Sequence, residues 1–284
     1  MAFPTLTAHG AAIPVLGFGV FRVSGEEVER VVPAALAAGF RHFDTAQFYR
    51  NEAALGRALK DSGVPREELF ITTKVWPDNY GADRFAVSVD ESLERLQLDH
   101  VDLLLLHWPG DQVPIAEQIE QLNAVQRAGR TRHIGVSNQN AAQLRESVER
   151  SAAPIVTNQI ELHPYLDQRA ILAAAKELGV AVTAYFALAD GRVPNDPVLQ
   201  EIGRAHGKSA AQVALRWVLD HGHIALSKTA RPERAAENAA LFDFRLSPEE
   251  IARIDALARP GGRIVNPQGL APAWDGEKDI PSAG

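Results

Sequence analysis

Val101-Asp102-Leu103-Leu104-Leu105-Leu106-His107 is a short, almost unbroken apolar run closed by a histidine. A strand with one wet face alternates apolar and polar residues. This one offers apolar side chains to both faces, as parallel strands covered by helices do. Runs of the same kind recur along the chain at intervals of roughly 25 to 35 residues, the spacing of βα units. Val15–Gly19, His42–Thr45, Phe70–Val75, His133–Ser137, Val156–Glu161, Ala181–Phe186 and Ile224–Lys228 complete a set of eight predicted strands. The expectation is an α/β fold, a (β/α)8 TIM barrel in one domain over residues 1–284.

The stretches between the strands carry helix boundaries. Ser24 is placed to cap a helix through Val28, Val31, Val32 and Leu36 that Gly39 stops. Asn51 precedes a helix with Leu55 and Leu59 on one face, Asp167 opens one ending at Gly179, and Ser209 opens another. Pro232 sits in a first turn, and Ser247-Pro248-Glu249-Glu250 is a capping-box start, so extra C-terminal helices are expected. Ahead of the barrel, Thr5–Thr7 and Ala12–Pro14 flank His9-Gly10 as a β-hairpin within residues 1–14. Residues 260–284, rich in Gly and Pro, read as a C-terminal loop.

Composition excludes several function classes. The net charge of −7 argues against a basic face for nucleic acid, while leaving room for a local basic pocket for a phosphate. With no cysteine, there is no disulfide framework, thiol nucleophile or Cys-ligated zinc. Neither a secretory signal nor an apolar run of bilayer length is visible, so a cytoplasmic monomer with no membrane partner is expected. Of the 29 basic residues only six are lysine, so each lysine departs from the chain's own preference.

Barrel logic directs attention to the carboxyl ends of the strands. Asp44 and Tyr49 follow the second predicted strand, Lys74 lies at the third and His107 at the fourth. Singly, each has an ordinary structural explanation as a cap, a surface ring or a satisfied core histidine. Lys74 is the least ordinary, a lysine inside Ile-Thr-Thr-Lys-Val-Trp that needs a partner. Together they form a proton-transfer group. Lys74 paired with Asp44 is expected to lower the phenol of Tyr49 from its usual value of about 10. His107, in an apolar neighbourhood, is expected to stay neutral and donate to the same substrate oxygen. Phe21, Trp76 and Trp108 flank that position as an aromatic-walled pocket.

Residues 39–52 (GFRHFDTAQFYRNE), 71–76 (ITTKVW) and 105–109 (LHWP with its preceding Leu) resemble the three catalytic signatures of the aldo-keto reductases. The likeness runs from about Ile13 to Asp275. It implies that Asp44, Tyr49, Lys74 and His107 form the family tetrad, with Tyr49 as general acid. The tail 262–275 is similar to that of bacterial 2,5-diketo-D-gluconate reductases of the B type, which implies diketogluconate, methylglyoxal or similar small carbonyl substrates.

No Rossmann fingerprint is present, because Gly17-Phe-Gly19-Val-Phe-Arg lacks the third glycine. A nicotinamide cofactor would therefore lie across the barrel mouth, past Gly19, Val20 and Leu188. The resemblance assigns Ser137, Asn138 and Gln159 to the nicotinamide carboxamide and Tyr185 to stacking. Lys228-Thr229-Ala-Arg231-Pro232-Glu-Arg234 gathers cations and a hydroxyl at a helix amino terminus, a setting that favours an anion. By resemblance Lys228, Thr229 and Arg234 take the 2′-phosphate, and Glu237 and Asn238 the base, which implies NADPH. Two departures from the family pattern stand out. Phe186-Ala187-Leu188-Ala189 replaces Ser-Pro-Leu-Gly, and Val20 replaces a threonine, each removing a hydroxyl near the cofactor.

Two rival functions remain: a Schiff-base lyase using Lys74, and a barrel that binds NADPH to regulate or sense. The Asp44 carboxylate argues against the first by holding Lys74 charged. The intact tetrad argues against the second. Trp274, if folded back over the mouth, would shape substrate choice.

Overall fold

Leu103 and Leu105 point into the centre of a closed barrel while Leu104 and Leu106, on the alternate face, meet the helices outside it. Both faces of this strand are thus apolar and dry. The computed structural model describes residues 3–276. Its strands are β1 (Thr5–Ala8), β2 (Ala11–Pro14), β3 (Leu16–Gly19), β4 (His42–Asp44), β5 (Phe70–Val75), β6 (Val101–Leu106), β7 (Thr131–Ser137), β8 (Ile155–Glu161), β9 (Ala181–Tyr185) and β10 (Ile224–Ser227). The last eight close in the order β10-β3-β4-β5-β6-β7-β8-β9, every pair parallel. This is the (β/α)8 barrel the apolar runs call for. β1 and β2 form the expected antiparallel hairpin. Ala8, Ala11 and Ile13 pack with Leu103, Leu105 and Phe70, so the hairpin plugs the amino-terminal end of the barrel.

The helices around it are α1 (Gly25–Ala37), α2 (Glu52–Asp61), α3 (Phe85–Leu96), α4 (Ile115–Arg127), α5 (Ala141–Arg150), α6 (Arg169–Glu177), α7 (Pro197–His206), α8 (Ala210–Asp220), α9 (Pro232–Ala239) and α10 (Pro248–Asp255). The caps read from sequence form: Ser24, Ser209 and Ser247 each accept from the backbone N–H three residues on, and Glu27, Gln212 and Glu250 reach back. Of the two helices beyond the βα repeat, α10 follows α9 as expected. The other, α7, is inserted between β9 and α8, where sequence reading had no helix. Asn51 makes no cap bond at the start of α2. Its amide is occupied elsewhere: Nδ2 donates to the carbonyls of Val20 and Val23 at 2.8 and 3.0 Å, and Oδ1 accepts from Thr45 Oγ1. Asn51 thereby ties the loops after β3 and β4 together at the mouth. Of the C-terminal loop, residues 260–276 are described, and its end at 277–284 lies outside the described residues, as do residues 1 and 2 of the hairpin segment.

Candidate active site

His42 and Asp44 on β4, and Thr72 and Lys74 on β5, share the inward face, because alternate residues of a strand point the same way. His42 Nε2 lies 3.1 Å from Thr72 Oγ1 one layer below the mouth. In the mouth itself Lys74 is fully buried, and its Nζ donates to Asp44 Oδ1 at 2.6 Å, to the Thr45 carbonyl at 2.8 Å and to the Tyr49 hydroxyl at 3.3 Å. All three ammonium protons are engaged. Tyr49 reaches this point from a 3-10 turn, Gln47–Tyr49, that follows β4. His107 begins the loop after β6, its ring 5.5 Å from that of Tyr49 and nearly perpendicular to it. The structure therefore brings together all four residues singled out from three successive strand ends.

Two electrostatic expectations change. Burial pushes the Tyr49 phenol well above its ordinary value, and the Asp44 carboxylate adds to the effect. Sequence reading had the neighbouring ammonium lowering it. The reason is that Asp44 largely neutralises Lys74 at 2.6 Å, leaving little field to offset desolvation of a phenolate. Burial also lowers the Lys74 ammonium against the opposing pull of Asp44. Charge alone therefore does not exclude an imine-forming lysine. Access does, since Lys74 is wholly enclosed with three partners. His107 behaves as read: burial, then the Lys74 charge, hold its pKa well below 6.5. Among the described residues its Nδ1 is buried without a hydrogen-bond partner.

Phe21 lies 4.9 Å from the Tyr49 ring, and Trp76 meets the His107 ring edge-on at 5.2 Å. Trp108 is buried deeper, its carbonyl accepting from the Tyr80 hydroxyl and its indole packed edge-on against Trp274 at 6.5 Å. Trp274 does fold back onto the barrel. Sequence reading missed Phe48, half exposed, which stacks on Trp76 at 4.1 Å and completes that wall. It also missed Gln47, whose Oε1 accepts from the Trp76 N–H and whose Nε2 donates to Ser88 and Ser92 of α3. The clue to Phe48 was its place between Gln47 and Tyr49 in a turn already known to reach the mouth.

The residues expected to hold a nicotinamide are gathered but mutually engaged. Gln159 Nε2 donates to Asp44 Oδ2 at 2.8 Å, joining the tetrad network. Asn138 donates to the His107 carbonyl and to Ser137 Oγ, and accepts from the Tyr185 hydroxyl at 2.7 Å. Ser137 Oγ donates in turn to the Gln159 carbonyl. Gly19 and Val20 are buried, and Leu188 is half-buried beyond β9. Where serine is replaced, Phe186 adopts a left-handed backbone (φ 56°) and packs against Tyr185 and Phe21. Arg22 lies over Phe21 and Phe186 and reaches Asp190 at 3.4 Å. Left-handed backbone at Arg22, Arg50, Asn138, Phe186, Ala189 and Asp190 follows strand ends, where such conformations accompany function.

Lys228 and Arg231 are exposed just before α9, and neither forms an ion pair among the described residues. Thr229 Oγ1 accepts from the Arg231 N–H at 3.0 Å. Among the described residues no side chain caps α9. Pro232 has no N–H and the Arg234 N–H donates to the Arg231 carbonyl at 3.1 Å, so of its first turn the Glu233 N–H is the donor open to an external acceptor. Arg234 is paired with Glu237 at 2.5 Å. Asn238 is buried and its Nδ2 donates to Ser227 Oγ, anchoring α9 to β10.

The model of the "Aldo/keto reductase family" matches residues 15–259. The chain belongs to that family. Members of this family are oxidoreductases, and this chain is one of them, a carbonyl-reducing enzyme. It is 42% identical over 266 residues to methylglyoxal reductase DkgB of Salmonella typhimurium, covering 93% of this chain and 99% of that one. A crystal structure provisionally named 2,5-diketo-D-gluconic acid reductase B is 59% identical, with a TM-score of 0.95 over 96% of this chain and 98% of the other. The Bombyx mori aldo-keto reductase, solved in complex with NADP, is 34% identical with a TM-score of 0.86, covering 91% and 94%.

Proposed function

We propose that the chain, acting as one barrel domain, reduces small aldehydes and ketones of the methylglyoxal or diketogluconate kind to alcohols, using NADPH, with Tyr49 as the proton donor. The observation that carries this reading is the chain Asp44–Lys74–Tyr49 beside a neutral His107. Tyr49, its phenol raised by burial, keeps its proton at neutral pH. It releases that proton only as negative charge builds on a carbonyl oxygen, and the Lys74 ammonium at 3.3 Å then steadies the phenolate. Neutral His107 orients the same oxygen by hydrogen bonding. Phe48, Trp76 and Phe21 exclude water and accept a small apolar substituent.

The residues present fit the cofactor. Gln159 Oε1 receives no hydrogen bond among the described residues and suits a carboxamide N–H, with Asn138 and Ser137 beside it. The Tyr185 ring offers a half-buried face. Lys228, Thr229, Arg231 and the uncapped start of α9 suit a phosphate, with Arg234 and Glu237 at its edge. NADPH, when bound, supplies the hydride. The reading includes a monomer in the cytoplasm whose partner is a small carbonyl compound and not a nucleic acid. Among the described residues no helix is long and apolar enough to cross a membrane.

The test is loss of absorbance of the reduced nicotinamide with methylglyoxal, 2,5-diketogluconate and an aromatic aldehyde, with NADH in parallel. Turnover that prefers NADPH supports the reading. Tight NADPH binding with no turnover on any carbonyl would replace it with the regulatory barrel.

A further inference from the structure

Glu161 ends β8 two residues after Gln159, on the same inward face, yet it takes no part in the tetrad. It is fully buried, as is His163. The backbone N–H of Tyr165 donates to His163 Nδ1, so the ring proton sits on Nε2 and is donated to Glu161 Oε1 at 2.9 Å. The remaining acceptor capacity of the carboxylate is spent on a remote segment. Oε1 accepts from the Ile264 N–H at 2.7 Å, and Oε2 from the Val265 N–H at 2.8 Å. Gly262, just before them, passes so close to the Tyr165 carbonyl that a Cβ has no room.

The same segment is held again further on. The Ala141 N–H at the start of α5 donates to Asp275 Oδ2 at 2.8 Å, and Asn140 Nδ2 donates to the Ala273 carbonyl. Between these two anchors lies Trp274. Its ring is covered by the Arg263 guanidinium at 3.6 Å, its Nε1 donates to Asn266, and it packs against Trp108, the neighbour of His107. Residues 262–275 therefore form a strap without helix or strand, whose own backbone donors need partners. A buried carboxylate aimed at two of them is a strong fastening.

We propose that Glu161 is a positioning residue that fixes this strap, so that Trp274 closes the side of the mouth next to Trp108 and limits the size of the carbonyl substrate. The inference rests on the reductase reading above and assigns the control of its substrate range. Glu161→Gln keeps the volume but sets an amide donor against one of the two strap N–H groups.

The experiment combines hydrogen exchange of the strap with steady-state kinetics of the full chain on methylglyoxal and naphthaldehyde. In Glu161→Gln, protection at residues 264 and 265 is expected to fall about tenfold, the loss of about one hydrogen bond to a charged group. Turnover of methylglyoxal at saturation stays within about twofold, because no tetrad contact changes. The ratio of kcat/KM for naphthaldehyde over methylglyoxal shifts by about fivefold or more, as it does in Trp274→Ala, and the double variant adds nothing further. If Glu161→Gln does not fold, Ile264→Pro removes one donor from the strap side and is expected to shift the ratio the same way. An active wild type whose ratio is unmoved in these variants, or additive effects in the double variant, overturns the inference alone. A wild type that reduces no carbonyl overturns the reductase reading and this inference with it.

Discussion

At the residue scale, the site is a chain of neutralised charge ending in a phenol. Asp44 occupies one oxygen with Lys74 and the other with Gln159, so its charge is spent inside the barrel. This explains why the Tyr49 phenol rises rather than falls, and in the proposed function it makes Tyr49 a donor that waits for charge on the substrate. Tyr49→Phe removes the only proton that this hydroxyl can give while leaving the ring against Phe21 and His107. Carbonyl reduction is expected to fall about a hundredfold or more, with NADPH affinity within a few-fold of the parent. Fluorescence titration of NADPH beside initial rates checks this, and full activity in Tyr49→Phe would show that another group is the acid. Phe48 and Gln47 belong to the same turn, but their roles depend on Trp76 and α3, which no local reading brings near.

At the element scale, close approaches between helices position the strands. Gly56 of α2 meets the end of α3, where an added Cβ would lie 2.5 Å from the Leu96 carbonyl oxygen. Gly56→Ala would gain about 1 kcal/mol of helix propensity. Overpacking against backbone costs roughly 1–3 kcal/mol, so a net loss of about 1 kcal/mol is expected. A lower urea midpoint at unchanged slope is the measurement, and a raised midpoint would show that the two helices can part freely. The start of α9 is the other element with a task. If Lys228 holds the 2′-phosphate as proposed, Lys228→Met removes a charge-assisted contact, so KM for NADPH is expected to rise about tenfold or more while KM for NADH barely moves. Equal effects on both cofactors would place the 2′-phosphate elsewhere.

For the whole molecule, burial favours the neutral form of four histidines, two inside the barrel mouth and interior and two nearer its surface. Burial lowers His42, His107 and His133, and takes His223 to about 4. Above about pH 6.5 both folded and unfolded chains carry these rings neutral, and their contribution is fully present. As pH falls, the unfolded chain binds protons that the folded chain refuses, so stability is lost, by about 1.4 kcal/mol per pH unit for each ring. For His223 that window runs from about 6.5 down to about 4. Urea unfolding at several pH values between 4 and 7 is expected to show this slope, shallower in His223→Gln. An identical slope in that variant would mean that His223 titrates alike in both states.

The barrel was legible because its signals are local and repeated. Apolar runs such as 101–106, serine caps before α1, α8 and α10, and the His9-Gly10 turn each report their conformation through neighbours a few residues away. The proton-transfer residues were legible for a related reason: parallel strands of a barrel deliver their carboxyl ends to one mouth whatever lies between them. By themselves these residues determined the fold, the gathering of Asp44, Tyr49, Lys74 and His107 at one mouth, and the cationic start of α9. What only the tertiary structure decided is how distant groups divide their hydrogen bonds and how far burial outweighs charge. Asn51 leaves its cap to tie two loops, Gln159 joins Asp44, and the Tyr49 phenol rises beside an ammonium. Glu161 reaches a strap about a hundred residues away, which the alternation of β8 marked as facing the mouth but could not connect. Desolvation and long-range pairing depend on what closes around a group, and that is a property of the folded chain alone.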